Sequence, residues 1–364
     1  MSLMIIDAHE DLAWNMLSLG RDYTRSAALT RKKEQGTNIP SYNGDTLLGW
    51  EDYQRGNVAV VFSTLFAAPA RASLGSWDTQ TYATIDEAHA RYKAQLDAYH
   101  RLTDENPDKF KIIHTKKELD DLFALRLANQ LATPVGLIIL MENAEGVHNP
   151  DELEMWWRRG VRIIGPAWRG TRFCGGTGEP GSLTKEGFAL LEGMASMGFV
   201  LDISHMDEKA VLQSLDIYPG TIIASHANAA ALLKGTKSNR FLSDCVIRGL
   251  LERDGVVGVV PYNRFLLSGW TETDGRACVS LEYVVSQIDY ICQFAGDARH
   301  VGFGTDFDGG FGVQKAPSGI DTIADLQKIA PLLADKGYSD EDIRAIFAQN
   351  WVTILNRCLP GNNP

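Results

Sequence analysis

Residues 199–226 read FVLDISHMDEKAVLQSLDIYPGTIIASH. Two β-branched apolar runs, 199–203 and 221–224, flank an amphipathic stretch at 207–215. Continuous apolar strands separated by a helical pattern imply parallel strands covered by a crossover helix. Each run also ends in the same pair, Ser204-His205 and Ser225-His226.

The unit recurs in both directions along the chain. Further apolar runs lie at 3–6, 58–66, 135–141, 161–167, 256–260 and 300–303, with helical patterns such as 84–102 and 185–197 between runs. Eight such units in 364 residues predict a closed (β/α)8 TIM barrel of the α/β class, one domain over 1–364. An open doubly wound sheet is less favoured, since no GxGxxG follows any run. The run at 110–114 reads as an accessory strand or the end of a helix–strand connection. Residues 20–55 are polar and poorly periodic, and read as a long loop inserted after the first strand.

In a barrel of this kind the chemistry collects at the C-terminal strand ends. The first strand leads into His9-Glu10-Asp11, where residues i and i+2 of an extended chain reach one side. Alone, this reads equally as a capping aspartate beside an incidental histidine. The third strand runs into Glu142, with Glu145 a competing candidate three residues on. A carboxylate directly after seven apolar residues is costly unless paired or bound to a cation. His205 and His226 end the fifth and sixth strands, and neutral imidazole is a common metal ligand. Asp306 leaves the eighth strand in Gly304-Thr-Asp-Phe-Asp308-Gly309, where Asp308 reads as a turn or capping residue. Five such ligands exceed the usual three of one catalytic zinc, and a carboxylate bridging two ions ~3.5–4 Å apart resolves the count.

These pieces resemble the renal (membrane) dipeptidase family of the amidohydrolase superfamily. The matching segments are Asp7-Ala-His9-Glu-Asp11, the strand ending at Glu142, Asp202-Ile-Ser-His205, Ser225-His226, Arg240 in Asn-Arg-Phe-Leu-Ser-Asp, and Gly304 to Gly309. The tail around Asn350-Trp351 is also similar. The resemblance implies a metallo-dipeptidase with two divalent ions, zinc expected, and a metal-bridging hydroxide as nucleophile. His9 and Asp11 would bind one ion, His205 and His226 the other, with Glu142 between them. Asp306 would shuttle the proton and Arg240 would pair with the substrate's terminal carboxylate, unless it forms a surface ion pair. Tyr262 matches a tyrosine near the substrate, or is a buried structural one. A D-residue at the substrate's C-terminal position fits the family's open site.

Two departures bear on substrate class. Trp168, in Pro166-Ala-Trp-Arg169-Gly170, stands where mammalian members carry a histidine near the scissile carbonyl, and Phe241 follows Arg240 in place of asparagine. Arg169 or Arg172 could supply charge at that strand end. The alternative substrates are another small amide, an N-acyl amino acid or a lactone. A metal-free acyl-transfer enzyme is disfavoured by the absence of GxSxG. A binding-only barrel is disfavoured because all six polar residues are present.

A net charge of −11 argues against nucleic-acid or anionic-membrane partners. No apolar run approaches the ~18 residues of a membrane span. Five widely spaced cysteines without a CxxC pair suit a reducing compartment, and a cytoplasmic location is expected. A dipeptide is the expected partner, and a homo-oligomer remains open.

Overall fold

The computed structural model describes residues 2–128 and 133–361; the outer ends of the expected domain, Met1 and 362–364, lie outside the described residues. The strands are Ile5–Glu10 (β1), Val58–Leu65 (β2), Phe110–Ile112 (β3), Val135–Glu142 (β4), Val161–Gly165 (β5), Cys174–Gly176 (β6), Glu179–Leu183 (β7), Val200–Asp202 (β8), Ile222–Ile223 (β9), Val257–Val259 (β10) and Val301–Phe303 (β11). Eight of them form one parallel sheet in the order β10-β11-β1-β2-β4-β5-β8-β9. A parallel bridge from Ala224 to Val257 joins its two edges, so the sheet closes into the expected barrel.

Strand pleating sorts the apolar residues into two layers. Along β4, Leu137, Ile139 and Met141 pack with the surrounding helices, while Ile138 and Leu140 join Ile6, Phe62, Ile163, Val200 and Ile223 in the other cluster. Glu142 continues that second parity, which aims its carboxylate at the barrel mouth. The second cluster also takes in Trp351, whose Nε1 donates to Phe303 O at 3.0 Å.

β1 extends beyond the expected run, because its polar residues are satisfied inside the fold. Buried Asp7 accepts from Thr305 N at 2.7 Å, and Glu10 accepts from Tyr53 Oη. The 110–114 segment is accessory: β3 pairs with Val135–Leu137, below the point at which β5 takes up pairing with β4 at Ile139. The antiparallel β6–β7 hairpin has no counterpart in the apolar pattern, since glycine-rich strands give no periodicity.

The insertion at 20–55 is not a bare loop. It folds into helices Ala27–Glu34, Ile39–Asn43 and Trp50–Gly56. Asp308, expected as a turn or cap, is the fully buried anchor of this segment. Its carboxylate lies 3.1 Å from Arg21 Nη1 and accepts from Tyr23 Oη (2.9 Å), Leu47 N (2.9 Å) and Thr46 Oγ1. All five cysteines are free, and among the described residues no helix is long and apolar enough to cross a membrane.

Candidate metal centre

Glu142 sits at the middle of the strand-end residues. Its Oε2 lies 3.4 Å from His9 Nε2, and its Oε1 lies 3.0 Å from His205 Nε2 and 3.6 Å from His226 Nε2. Donor atoms of His9, Asp11 and Glu142 lie within 4.8 Å of one another, as do those of Glu142, His205 and His226. Two donor sets therefore share one carboxylate. Glu145 points elsewhere, toward Arg172 Nη1 at 3.4 Å. The cause is Asn143, whose φ of +69° turns the chain off the strand axis after Glu142.

The outer nitrogens of all three imidazoles are occupied. Ser225 Oγ lies 3.1 Å from His9 Nδ1 and 2.9 Å from His226 Nδ1, while Thr177 Oγ1 lies 2.9 Å from His205 Nδ1. Each ring therefore turns its Nε2 lone pair inward. Buried His9 Nε2 has no hydrogen-bond partner, and the Nε2 atoms of His205 and His226 face each other at 2.9 Å. Convergent lone pairs without donors fit a bound cation, and histidines ligated through one nitrogen and held through the other are typical of metal sites.

The charges point the same way. Burial and nearby Arg240 push His205 down to about 4, and burial with His9 pushes His226 well below the ordinary range, so both rings are neutral, the form that can bind a cation. At His9 burial is outweighed by Glu142, Asp11 and Asp306, which raise its value to about 9, so a cation bound among these carboxylates takes the place of a proton on Nε2. Burial and Glu142 raise Asp11 to about 7. Asp306 is raised well above the usual carboxylate range by burial and by the charges of Asp11 and Glu142. Such an excess of carboxylate in a closed space is relieved by divalent cations.

Asp306 has a φ of +58°, uncommon outside glycine, and its N–H donates to His9 O at 3.0 Å. Among the described residues no donor reaches its carboxylate. Gly309 leaves it room, since a Cβ there would collide with Asp306 Oδ1 and come within 2.6 Å of Asp11 Oδ2. The other titratable groups nearby in sequence are engaged elsewhere: His148 bonds Glu152 (2.7 Å) and Asp86 (2.8 Å), and Asp308 is committed to Arg21.

A cavity of about 270 Å³ opens above this cluster, lined among others by Asp306, Arg240, Tyr262, Phe265, Trp168 and Arg169. Arg240 is buried rather than a surface ion pair. Its Nη1 donates to Ser204 O (2.9 Å), its Nη2 to His226 O (2.8 Å), and its Nε has no partner. Tyr262 stacks on Phe311 at 4.5 Å, and Trp168 meets Phe66 edge-on at 5.1 Å. Thr177, Ser225 and Thr64, which donates to Asp11 Oδ1, support the site without standing out in the sequence. Serine and threonine carry no local signal of an outer-sphere role.

Similarity to known proteins agrees with this geometry. An uncharacterized protein from the pqqA 5′ region of Klebsiella pneumoniae is 31% identical over 215 residues, covering 56% of this chain and 74% of that protein. The fold superposes on the crystal structure of the dipeptidase AC, a metallo peptidase of family M19, with a TM-score of 0.77 at 24% identity and full coverage of both chains. It also superposes, at the same TM-score and 23% identity, on a metallo peptidase from Rhodobacter sphaeroides solved with a phosphinate mimic of L-Ala-D-Ala, covering 98% of this chain and 100% of that one. The sequence model of the membrane dipeptidase family, peptidase family M19, matches residues 1–358, and the chain belongs to that family of metallo-dipeptidases.

Proposed function

We propose that the chain hydrolyses the amide bond of small dipeptides at a binuclear centre, with zinc as the metal, in the cytoplasm. The observation that carries this reading is Glu142, one carboxylate that faces His9 through one oxygen and His205 and His226 through the other. Two divalent ions held by His9, Asp11, Glu142, His205 and His226 would supply Lewis acidity, lowering the pKa of a water and polarising the carbonyl.

The remaining work falls to the chain's own groups. Asp306, with no donor on its carboxylate and its proton affinity raised, takes a proton from the attacking water at a carboxylate oxygen and returns it to the departing amine. Arg240 offers the substrate's terminal carboxylate the in-plane N–H groups that Ser204 O and His226 O leave unused, the unpartnered Nε–H among them. Trp168 and Tyr262 line the pocket and exclude water, and the indole N–H is one donor available to the carbonyl oxygen. About 270 Å³ suits a dipeptide better than a longer peptide. A D-residue at the C-terminal position is part of the reading, supported by the L-Ala-D-Ala mimic on the Rhodobacter protein of the same fold.

The test is a panel of L,L and L,D dipeptides on metal-replete protein, run beside N-acyl amino acids and lactones. Turnover of dipeptides alone, with close to two ions per chain, is expected. Turnover confined to lactones or N-acyl amino acids would replace the dipeptide reading with the alternative.

A further inference from the structure

Three arginines, Arg71, Arg169 and Arg172, gather around Gly170, and two of them are neutralised. Arg71 binds both oxygens of Glu179, at 3.1 and 2.8 Å. Arg172 meets Glu186 at 2.9 Å and Glu145 at 3.4 Å. Arg169 lies between them in sequence, lines the cavity and is half-buried. Among the described residues it has no ion-pair partner, and its one acceptor is Thr177 O at 3.2 Å.

Its position is built rather than incidental. The tip of the β6–β7 hairpin is Gly176-Thr177-Gly178. Gly178 has a φ of +72°, and Arg169 Nη1 lies against its open side. Gly178 N is held by Asn239 Oδ1 at 2.8 Å, beside Arg240 in sequence, and Thr177 Oγ1 holds His205 Nδ1. One hairpin tip thus fixes Arg169 against the same centre that carries His205. The guanidinium also lies 5.5 Å from the Trp168 ring, which limits its sweep.

A half-buried guanidinium with four unused N–H groups calls for an acceptor that the protein does not supply. Arg240 is the second cation of the cavity, and it likewise meets no carboxylate. We infer that Arg169 is a specificity-determining residue that binds a second carboxylate, so that the preferred substrates are dipeptides with an aspartate or glutamate side chain. The inference rests on the dipeptidase reading above and adds the substrate class to it.

The test compares kcat/KM for Ala-Glu with Ala-Gln, and for Glu-Ala with Gln-Ala, in wild type, Arg169→Met and Arg169→Glu. In wild type one acidic member should exceed its amide by about 10- to 100-fold, the range for one charge-assisted bond. Arg169→Met should bring that ratio close to one, and Arg169→Glu should shift the preference to the matching lysine dipeptide. Calorimetry with N-acetylglutamate and N-acetylglutamine gives a readout without turnover, and the same ratio in affinity is expected. A wild-type ratio near one in both experiments, or a ratio untouched by Arg169→Met, would overturn the assignment. Dipeptide turnover without acidic preference removes this inference alone. Absence of any dipeptide turnover removes the dipeptidase reading, while the calorimetry still decides on Arg169.

Discussion

Ser225 Oγ donates to Asp202 Oδ2 at 2.5 Å. With its proton committed there, the hydroxyl accepts from the Nδ1–H of both His9 and His226, so one serine sets the tautomer of two imidazoles of the candidate metal centre. Asp202 is itself fixed by Ser204 Oγ (2.5 Å) and Ser225 N (2.9 Å). Ser225→Ala should therefore weaken metal binding by about 10- to 100-fold, the usual effect of losing an outer-sphere partner. Metal titration followed by elemental analysis checks this, and excess metal should restore turnover. Undiminished affinity would show that ring packing alone orients the two histidines.

Asp306→Asn should lower kcat by about 10²- to 10⁴-fold with metal content unchanged, because asparagine keeps the shape and loses the basicity. Loss of an ion in this variant would make Asp306 a ligand first.

Arg240→Ala should weaken substrates with a free C-terminal carboxylate by ~2–5 kcal/mol and affect C-terminal amides far less. The same change strips Ser204 O and His226 O of their donor, so metal content is measured alongside. Equal losses on acid and amide would make Arg240 a brace for the two histidine-bearing loops.

Asp308→Ala should destabilise the fold by about 3–5 kcal/mol, because Arg21 and three further donors lose a buried carboxylate. Chemical denaturation gives the magnitude. Limited proteolysis should show new cleavage within 20–55, and an unchanged melt would mean that Glu34 alone holds Arg21.

The hydrogen bonds to Asp86 and Glu152 raise His148 above the ordinary histidine value of 6.5. A raised folded value means stability that is fully present below 6.5 and lost as the pH rises through the folded value. His148→Gln should accordingly lower Tm near pH 5.5, by about 2 °C or less for so exposed a pair, and leave it unchanged near pH 9. Equal shifts at both pH values would assign the loss to packing against His89.

The eight-fold alternation of strand and helix was readable from residue order, because periods of 2 and 3.6 are local properties of the backbone. The strand-end histidines and carboxylates were readable as well, since polar residues closing apolar runs are conspicuous. Tertiary structure decided what depends on residues far apart in sequence. Glu142 and Glu145 are three residues apart, and only the turn at Asn143 sends one to the barrel mouth and the other to Arg172. Asp308 resembled a loop cap until Arg21, Tyr23, Thr46 and Leu47, more than 260 residues away, closed around it. Arg71, Arg169 and Arg172 are equivalent as letters. Which of them faces the cavity without a carboxylate depends on where Glu179, Glu186 and Glu145 fall once the hairpin has folded, and electrostatic pairing of that kind is set by distance in space, not by spacing in the chain.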